Sequence, residues 1–182
     1  MKRWMLCAAM ILAAVPAGWP QEAPKKAEEA PKKAESAPPI SALGWLVGGV
    51  WTADATKLGP GLQRIETRYQ WSDNKAFLRF TTHFVFDKGT ANTYDGQFFW
   101  NASGNTLAMW YMSAKGEIAE GPVEWDGTVL RIHFRGQNFE GKQGDLRVEV
   151  TRKSNDQYHW ALFEKTGEEW KEMFGLEYLR QG

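Results

Sequence analysis

Polar and apolar residues alternate with a period of two over much of the chain after residue 39. In Arg64–Trp71, charged or amide side chains at every second position separate a largely apolar series, Ile65, Thr67, Tyr69 and Trp71. Thr128–Arg135 and Asp145–Arg152 repeat the pattern. Such alternation indicates β-strands that bury one face and expose the other, and no stretch between the turns has the period of about 3.6 residues that an amphipathic helix needs.

Segments rich in Gly, Asn and Asp separate these strands at short, regular intervals, as expected of tight turns. We interpret the following segments as turns: Gly59–Gly61, Ser72–Lys75, Asp87–Gly89, Ala102–Asn105, Lys115–Gly116, Asp126–Gly127, Gly141–Gly144, Ser154–Asp156 and Thr166–Glu168. Short connections favour antiparallel neighbours, and closure removes exposed strand edges. The sequence therefore predicts an all-β, up-and-down antiparallel barrel of about ten strands, with a flattened β-sandwich as the alternative.

Other strands are apolar on both faces. Ala76–Phe86 places Leu78, Phe80, Phe84 and Phe86 on one side, and Phe77, Val85, Arg79, Thr81 and His83 on the other. Gln97–Trp100 and Leu107–Met112 are similar. Such strands either border an associating surface, lie beneath the N-terminal segment, or bound a ligand-binding lumen with a second packed layer.

Composition narrows the classes of partner. The 182 residues carry a formal net charge of zero, which argues against a nucleic-acid partner because such proteins usually present a basic surface. The chain also contains ten Trp and ten Phe. Aromatic residues in that number need a large core or a cavity to line.

The N-terminal segment, residues 1–17, has the features of a secretory signal peptide. Lys2 and Arg3 precede an apolar run, Trp4–Val15, which is shorter than the roughly 20 residues that span a bilayer. Cleavage after Ala17 would give a periplasmic or secreted protein that is not inserted in a membrane, and retention of the segment as an anchor is the alternative. Cleavage would also remove Cys7, the chain's single cysteine, so that no disulfide is expected.

Residues 18–39 are predicted to be an extended linker. Glu-Ala-Pro-Lys-Lys-Ala-Glu occurs twice in tandem within Glu22–Glu35, with balanced charge and no large apolar side chain to bury. The segment is either a spacer that holds the domain away from a membrane or cell wall, or a solvated tail. The globular domain is then residues 40–182, and Ile40–Val47 is predicted to form one helical or 3₁₀ turn before the first strand.

The Gly-x-Trp sequence at Gly49–Trp51 marks the start of the first strand. Glycine allows a sharp turn into the strand, and a large flat side chain can fill the end of a closed sheet. We therefore expect Trp51 to plug one end of the barrel, with Arg180 or Arg152 packed over its ring in a cation–π contact.

The segment Leu43–Trp51 is similar to the opening of bacterial calycin-type, lipocalin-like proteins of the DUF1579 kind, and distantly to nitrobindin-like haem barrels. The same rhythm continues in Glu66-x-Arg68-Tyr69-x-Trp71, Phe77-Leu78-Arg79, Asp95-Gly96 and Trp110-Tyr111. The resemblance implies a ten-stranded antiparallel barrel with a cavity. Nitrobindin-like proteins hold haem through a histidine on the last strand, and Trp170–Arg180 contains none. We therefore expect no haem, and His83 is the residue that would reverse this expectation by facing the lumen.

The aromatic load favours an exported carrier or sensor of a small hydrophobic or amphipathic molecule. The candidate ligand-binding residues are Tyr69, Trp71, Arg79, His83, Phe98, Trp100, Met109, Tyr111, Trp125 and Trp160. Among them, Arg79 is the candidate for a lumenal charge, paired with Glu66 or with a ligand. A structural or interaction barrel with a filled core is the alternative, and the oligomeric state is left open.

Catalysis is the less favoured interpretation, because the chain has no nucleophile motif and no glycine-rich phosphate loop. If the protein is an enzyme, a lumenal hydrolase or isomerase that uses Glu66 or Asp95 is expected. His83, His133 and His159 lack metal-ligand spacing, so no metal is expected. The stripe Arg131, His133 and Arg135 would cradle an anion if it faced inward, but its apolar opposite face favours an outer position.

Overall fold

The computed structural model describes residues 40–137 and 142–182, apart from the side chain of Asn92. The predicted signal peptide and linker, residues 1–17 and 18–39, lie outside this part. A 3₁₀ helix, Ile40–Leu46, precedes ten strands. The strands are β1 Val50–Asp54, β2 Leu62–Trp71, β3 Phe77–Phe86, β4 Gly89–Asn101, β5 Thr106–Ser113, β6 Ile118–Trp125, β7 Val129–Gln137, β8 Gln143–Arg152, β9 Gln157–Thr166 and β10 Glu169–Gln181.

The ten strands form one closed antiparallel barrel in the order β1-β10-β9-β8-β7-β6-β5-β4-β3-β2. Each strand therefore pairs with its neighbours in sequence, and β1 closes the sheet by pairing with β10. At the seam Trp51 lies opposite both Arg180 on β10 and Thr67 on β2. The predicted barrel is confirmed, and the sandwich alternative is wrong because the sheet has no free edge.

The alternating sequence patterns decide which side chains enter the barrel. On β7, Leu130, Ile132 and Phe134 are buried, whereas the intervening side chains lie on the outer wall. The pairing of Leu130 with Val150 and of Ile132 with Val148 continues the same inward row on β8. Because successive side chains of a strand point to opposite faces, the register assigns every paired residue to the lumen or to the outer wall.

The 3₁₀ helix lies at one end of the barrel, named here the helix end. Leu43 and Leu46 of this helix are fully buried, and Trp45 packs against Trp51 and Tyr158. The turns after β2, β4, β6 and β8 share this end. The remaining turns lie at the opposite end, named the far end. The helix buries its apolar side chains by covering one opening of the barrel. No helix in the described ranges has the length and apolar character to cross a bilayer.

An outer apolar row explains why some strands are apolar on both faces. Phe77 pairs with Phe99, Phe99 with Ala108, and Ala108 with Pro122, on four adjacent strands. These residues alternate with the inward-facing residues of β3 to β6. Both faces of these strands are therefore apolar in this region, and the sequence shows no polar outer face. Further along the same wall, Met112 pairs with Ile118, which is 68% exposed.

Candidate ligand-binding site

The helix end is built around Trp51. Its ring is fully buried, and its indole N–H donates to the carbonyl of Leu46 over 2.7 Å. The guanidinium carbon of Arg180 lies 4.3 Å from the centre of the same ring. The structure thus places Arg180 over Trp51 as the closing cation. Arg152 lies instead over Trp45, at 5.3 Å.

Arg180 ties the helix to the last strand. Its Nη1 donates to the carbonyls of Val47 at 2.7 Å and Gly48 at 2.6 Å, and its Nη2 donates to the carbonyl of Trp45. Arg180 thereby supplies hydrogen-bond donors to three backbone carbonyls that follow or end the 3₁₀ helix. Glycine is needed at position 49, where φ is 67° and a Cβ atom would lie 2.4 Å from the carbonyl oxygen of Gln181.

Trp45 contributes an unpaired donor to this end. Its ring stacks on Trp125 at 6.1 Å and meets the edges of Trp51 and Tyr158 at about 6 Å. Its buried Nε1 has no hydrogen-bond partner among the described residues. An indole nitrogen can only donate, and leaving a buried donor unpaired costs about 1–3 kcal/mol.

Buried hydroxyl groups from four strands meet next to this ring cluster. The hydroxyl of Thr67 lies 3.0 Å from that of Thr82 and interacts with the hydroxyl of Tyr178. Tyr178 and Thr67 lie on the two strands that flank β1, where Ala53 pairs with Tyr178 and Trp51 pairs with Thr67. Tyr158 stacks on Tyr178 at 4.7 Å, and its hydroxyl interacts with that of Tyr69. We name Thr67, Tyr69, Thr82, Tyr158 and Tyr178 the hydroxyl cluster.

The tyrosines of the hydroxyl cluster are held in their neutral form. Burial raises the pKa of Tyr69 to about 12, although the interaction with Tyr158 partly opposes this shift. Burial also raises the pKa values of Tyr158 and Tyr178 far above the usual value for a phenol. The interior therefore disfavours negative charge at this position.

Several side chains that point into the barrel are only partly buried. They belong to the middle and the far half of the strands and are Tyr69, Phe80, Phe84, Tyr111, Trp160, Leu162 and Phe174. A side chain directed into a closed sheet is accessible only to space inside the wall or to solvent that enters at an end. The accessible surfaces of these side chains therefore border space inside the wall or solvent at an open end, and ring contacts at about 5–6 Å connect several of them.

Most of the residues expected to contact a ligand occupy inward positions. Phe98 and Met109 pair across β4 and β5 and are buried. Trp100 lies at the end of β4 and is 37% exposed. The other inward members are Tyr69, Trp71, Tyr111, Trp125 and Trp160.

Arg79 and His83 lie on the outer wall, which corrects their expected lumenal positions. Arg79 is paired with Gln70 and Gln97, and its guanidinium lies over the outer ring of Phe77 at 5.1 Å. His83 directly follows the inward Thr82 on β3, and its side chain therefore points outward. The sequence misled because β3 is apolar on both faces, so that alternation could not identify its inner side.

The other candidate charged groups also face outward. Glu66 forms an ion pair with Arg64 at 2.8 Å, and Asp95 accepts a hydrogen bond from Thr81 at 2.9 Å. These pairs lie on the outer wall, where neither carboxylate reaches the lumen. The stripe Arg131, His133 and Arg135 is outside as well, in agreement with its apolar opposite face.

Two surface cavities lie on this outer wall. The larger, about 310 Å³, is lined in part by Pro122, His133, Lys165 and Trp170. The smaller, about 250 Å³, is lined in part by Phe99, Ala108 and again Pro122. Both basic and acidic side chains line the larger cavity. Their mixture does not indicate whether a ligand bound there would be an anion or a cation.

The histidines do not supply a haem ligand inside the barrel. The chain has three, and His83, His133 and His159 all occupy outer positions; His159 bonds Glu177 through Nδ1 at 2.8 Å. Met173, near the place where the resemblance implies a histidine, is the extra residue of a β-bulge between Glu172 and Phe174. Within residues 40–137 and 142–182, no group of three or more histidines or carboxylates is arranged to hold a metal ion.

Comparison with known proteins identifies the fold. No family model and no curated protein matches the chain. Among solved structures, it is similar to the crystal structure of Rv2717c from M. tuberculosis, with a TM-score of 0.50 and 16% sequence identity. The match covers 80% of this chain and 99% of that chain, and at this identity it shows the barrel architecture alone.

Proposed function

We propose that this protein is an exported carrier or sensor that holds a small hydrophobic or amphipathic molecule in the barrel lumen. The observation that carries the proposal is the partial accessibility of inward aromatic side chains in the middle of strands, such as Phe80 and Trp160. Apolar space with a few placed polar groups is the usual form of a small-molecule site. In the proposed site the aromatic rings would supply the apolar wall, and the adjoining hydroxyl cluster would supply the polar groups.

The architecture supports binding without catalysis. The lumen brings together aromatic rings and neutral hydroxyl groups, whereas Glu66 and Asp95 are engaged on the outer wall. We place the domain with the calycin-type proteins of the DUF1579 kind, on the sequence resemblance and the closed ten-stranded barrel. Export to the periplasm or the medium is proposed from the sequence of residues 1–17.

Native mass spectrometry of the protein purified from its own host tests this function. A carrier should retain a low-molecular-weight adduct that denaturation releases, and extraction then identifies the molecule. The control is the same preparation after delipidation, which should give the mass of the bare polypeptide. A bare mass before delipidation as well would favour the alternative, a structural barrel without a ligand.

A further inference from the structure

An aromatic ring forms one side of the larger cavity on the outer wall. Trp170 lies near the start of β10, where it pairs with Lys165, and its partly buried ring lines the cavity. The guanidinium carbon of Arg147 lies 4.6 Å from the centre of this ring, and the ring of His133 makes a T-shaped contact with it at 5.8 Å. These contacts hold the indole against the wall, so that it presents a fixed apolar surface to the cavity.

Two cations at or beside the cavity already have acidic partners. The Nε of Arg135 lies 3.4 Å from the carboxylate of Asp145, and the Nε of Arg147 lies 3.0 Å from that of Glu149. The second contact is an ion pair by distance, although its N–H is not aligned for a hydrogen bond. Because a carboxylate offsets the charge of each guanidinium, neither is set up for the bidentate binding of a phosphate or carboxylate ligand.

Three other polar side chains that line the cavity are available to a ligand: Glu120, His133 and Lys165. Within residues 40–137 and 142–182, no hydrogen bond or ion pair engages these side chains. A carboxylate only accepts hydrogen bonds, an ammonium group only donates them, and a neutral imidazole does both. The formal charges of Glu120 and Lys165 cancel. This set complements uncharged groups that both donate and accept, and hydroxyl groups have that property.

A sugar combines the two features that this cavity complements. A pyranose carries hydroxyl groups around its edge and C–H groups on its faces. It can therefore lie against an aromatic ring while its hydroxyl groups bond to polar side chains. The cavity volume of about 310 Å³ is at the lower end of the range for small-molecule sites.

We propose that this outer-wall cavity binds an uncharged saccharide, with a pyranose ring against the indole of Trp170. The hydroxyl groups of the sugar bond to Glu120, His133 and Lys165. This inference goes beyond the proposed carrier function and does not depend on it, because the cavity lies outside the barrel lumen. Trp170 contributes most of the affinity, and the polar side chains select the arrangement of hydroxyl groups.

Isothermal titration calorimetry with maltose, cellobiose and trehalose tests the site. We expect at least one of these neutral disaccharides to bind the wild type. Trp170→Ala should weaken that binding at least about tenfold, as truncation of a central tryptophan does in other interfaces. Trehalose 6-phosphate should bind no more tightly than trehalose, since the guanidinium groups beside the cavity already have acidic partners.

Two further variants separate binding from the stability of the wall. Glu120→Ala removes an exposed side chain and should weaken the same disaccharide roughly fivefold, through the loss of one hydrogen bond. Phe77→Ala is the matched control, because it removes another outer ring that packs against a guanidinium, that of Arg79 at 5.1 Å, and that does not line this cavity. It should bind within about twofold of the wild type.

Several results would overturn the inference. They are the absence of binding by all three disaccharides, wild-type affinity in a folded Trp170→Ala, and equal losses in Glu120→Ala and Phe77→Ala. Tighter binding of trehalose 6-phosphate than of trehalose would also overturn it, because it would mean an anion site. If circular dichroism shows that Trp170→Ala does not fold, the comparison of Glu120→Ala with Phe77→Ala decides.

Discussion

Arg180→Ala should lower the free energy of unfolding by about 3–5 kcal/mol, because it removes a cation–π contact worth about 0.5–2 kcal/mol and a charged donor whose hydrogen bonds are worth about 1.5–3 kcal/mol. The substitution removes the cation from the face of Trp51 and leaves the carbonyls of Val47 and Gly48 without their donor. It also detaches the 3₁₀ helix from β10. A thermal melt followed by circular dichroism should show a midpoint lower by roughly 10 °C.

Arg152→Ala is the matched control for this prediction. Arg152 lies at the same end over Trp45, but within residues 40–137 and 142–182 its side chain donates hydrogen bonds only to Ser154 and Asn155, in the turn that follows β8. We expect a loss of at most about 1 kcal/mol, as for other surface contacts. Equal losses for the two variants would show that Arg180 does not close the barrel in the way its contacts indicate.

Alkaline titration should unfold the protein before its tyrosines ionise freely. All five tyrosines, Tyr69, Tyr94, Tyr111, Tyr158 and Tyr178, have pKa values raised by burial. In the unfolded chain a phenol titrates near pH 10. The native state therefore retains protons above pH 10 that the unfolded state releases, so that stability is intact below pH 10 and is lost as the pH rises toward the native pKa values.

The size of this loss can be stated for single residues. The pKa of Tyr69 is raised to about 12, and each pH unit corresponds to about 1.4 kcal/mol. Tyr69 alone would then cost about 2 kcal/mol of stability by pH 12, in a domain whose total is expected to be about 5–15 kcal/mol. Tyr111, with its pKa also raised to about 12, adds to the loss.

The measurement follows phenolate absorbance and far-ultraviolet circular dichroism in the same pH series. Both signals should change together, in one steep transition above pH 10. The control in concentrated guanidinium chloride should show ordinary phenol titration near pH 10. Gradual appearance of phenolate near pH 10 in a protein that remains folded would mean that the hydroxyl cluster is open to water.

The barrel could be predicted because its determinants are local. Alternation in Thr128–Arg135 reports one buried face, and short turns such as Asp126–Gly127 permit only antiparallel neighbours. The Gly-x-Trp sequence located the closing tryptophan for the same reason, since the positive φ of Gly49 and the large ring of Trp51 are properties of adjacent residues.

The hydroxyl cluster could not be predicted in the same way, because it joins residues that are distant in sequence. Thr67 lies on β2 and Tyr178 on β10, and these strands come together only because both pair with β1 when the barrel closes. The inward position of Tyr158 could have been predicted from the sequence, because Tyr158 lies two residues before Trp160 and therefore on the same face of β9. Trp45 had no signal of this kind, because it lies in the 3₁₀ helix.

Binding of Nile red to a lumen-filling variant tests the central claim, that the barrel interior is the ligand site. Leu162→Trp adds volume to a side chain that is partly buried inside the barrel, whereas Phe163→Trp changes the next residue, which faces outward beneath Arg147 at 4.9 Å. We expect the wild type and Phe163→Trp to bind within about twofold of each other, and Leu162→Trp to bind at least about tenfold more weakly. Equal binding by both variants, or no binding by the wild type, would contradict a lumenal site.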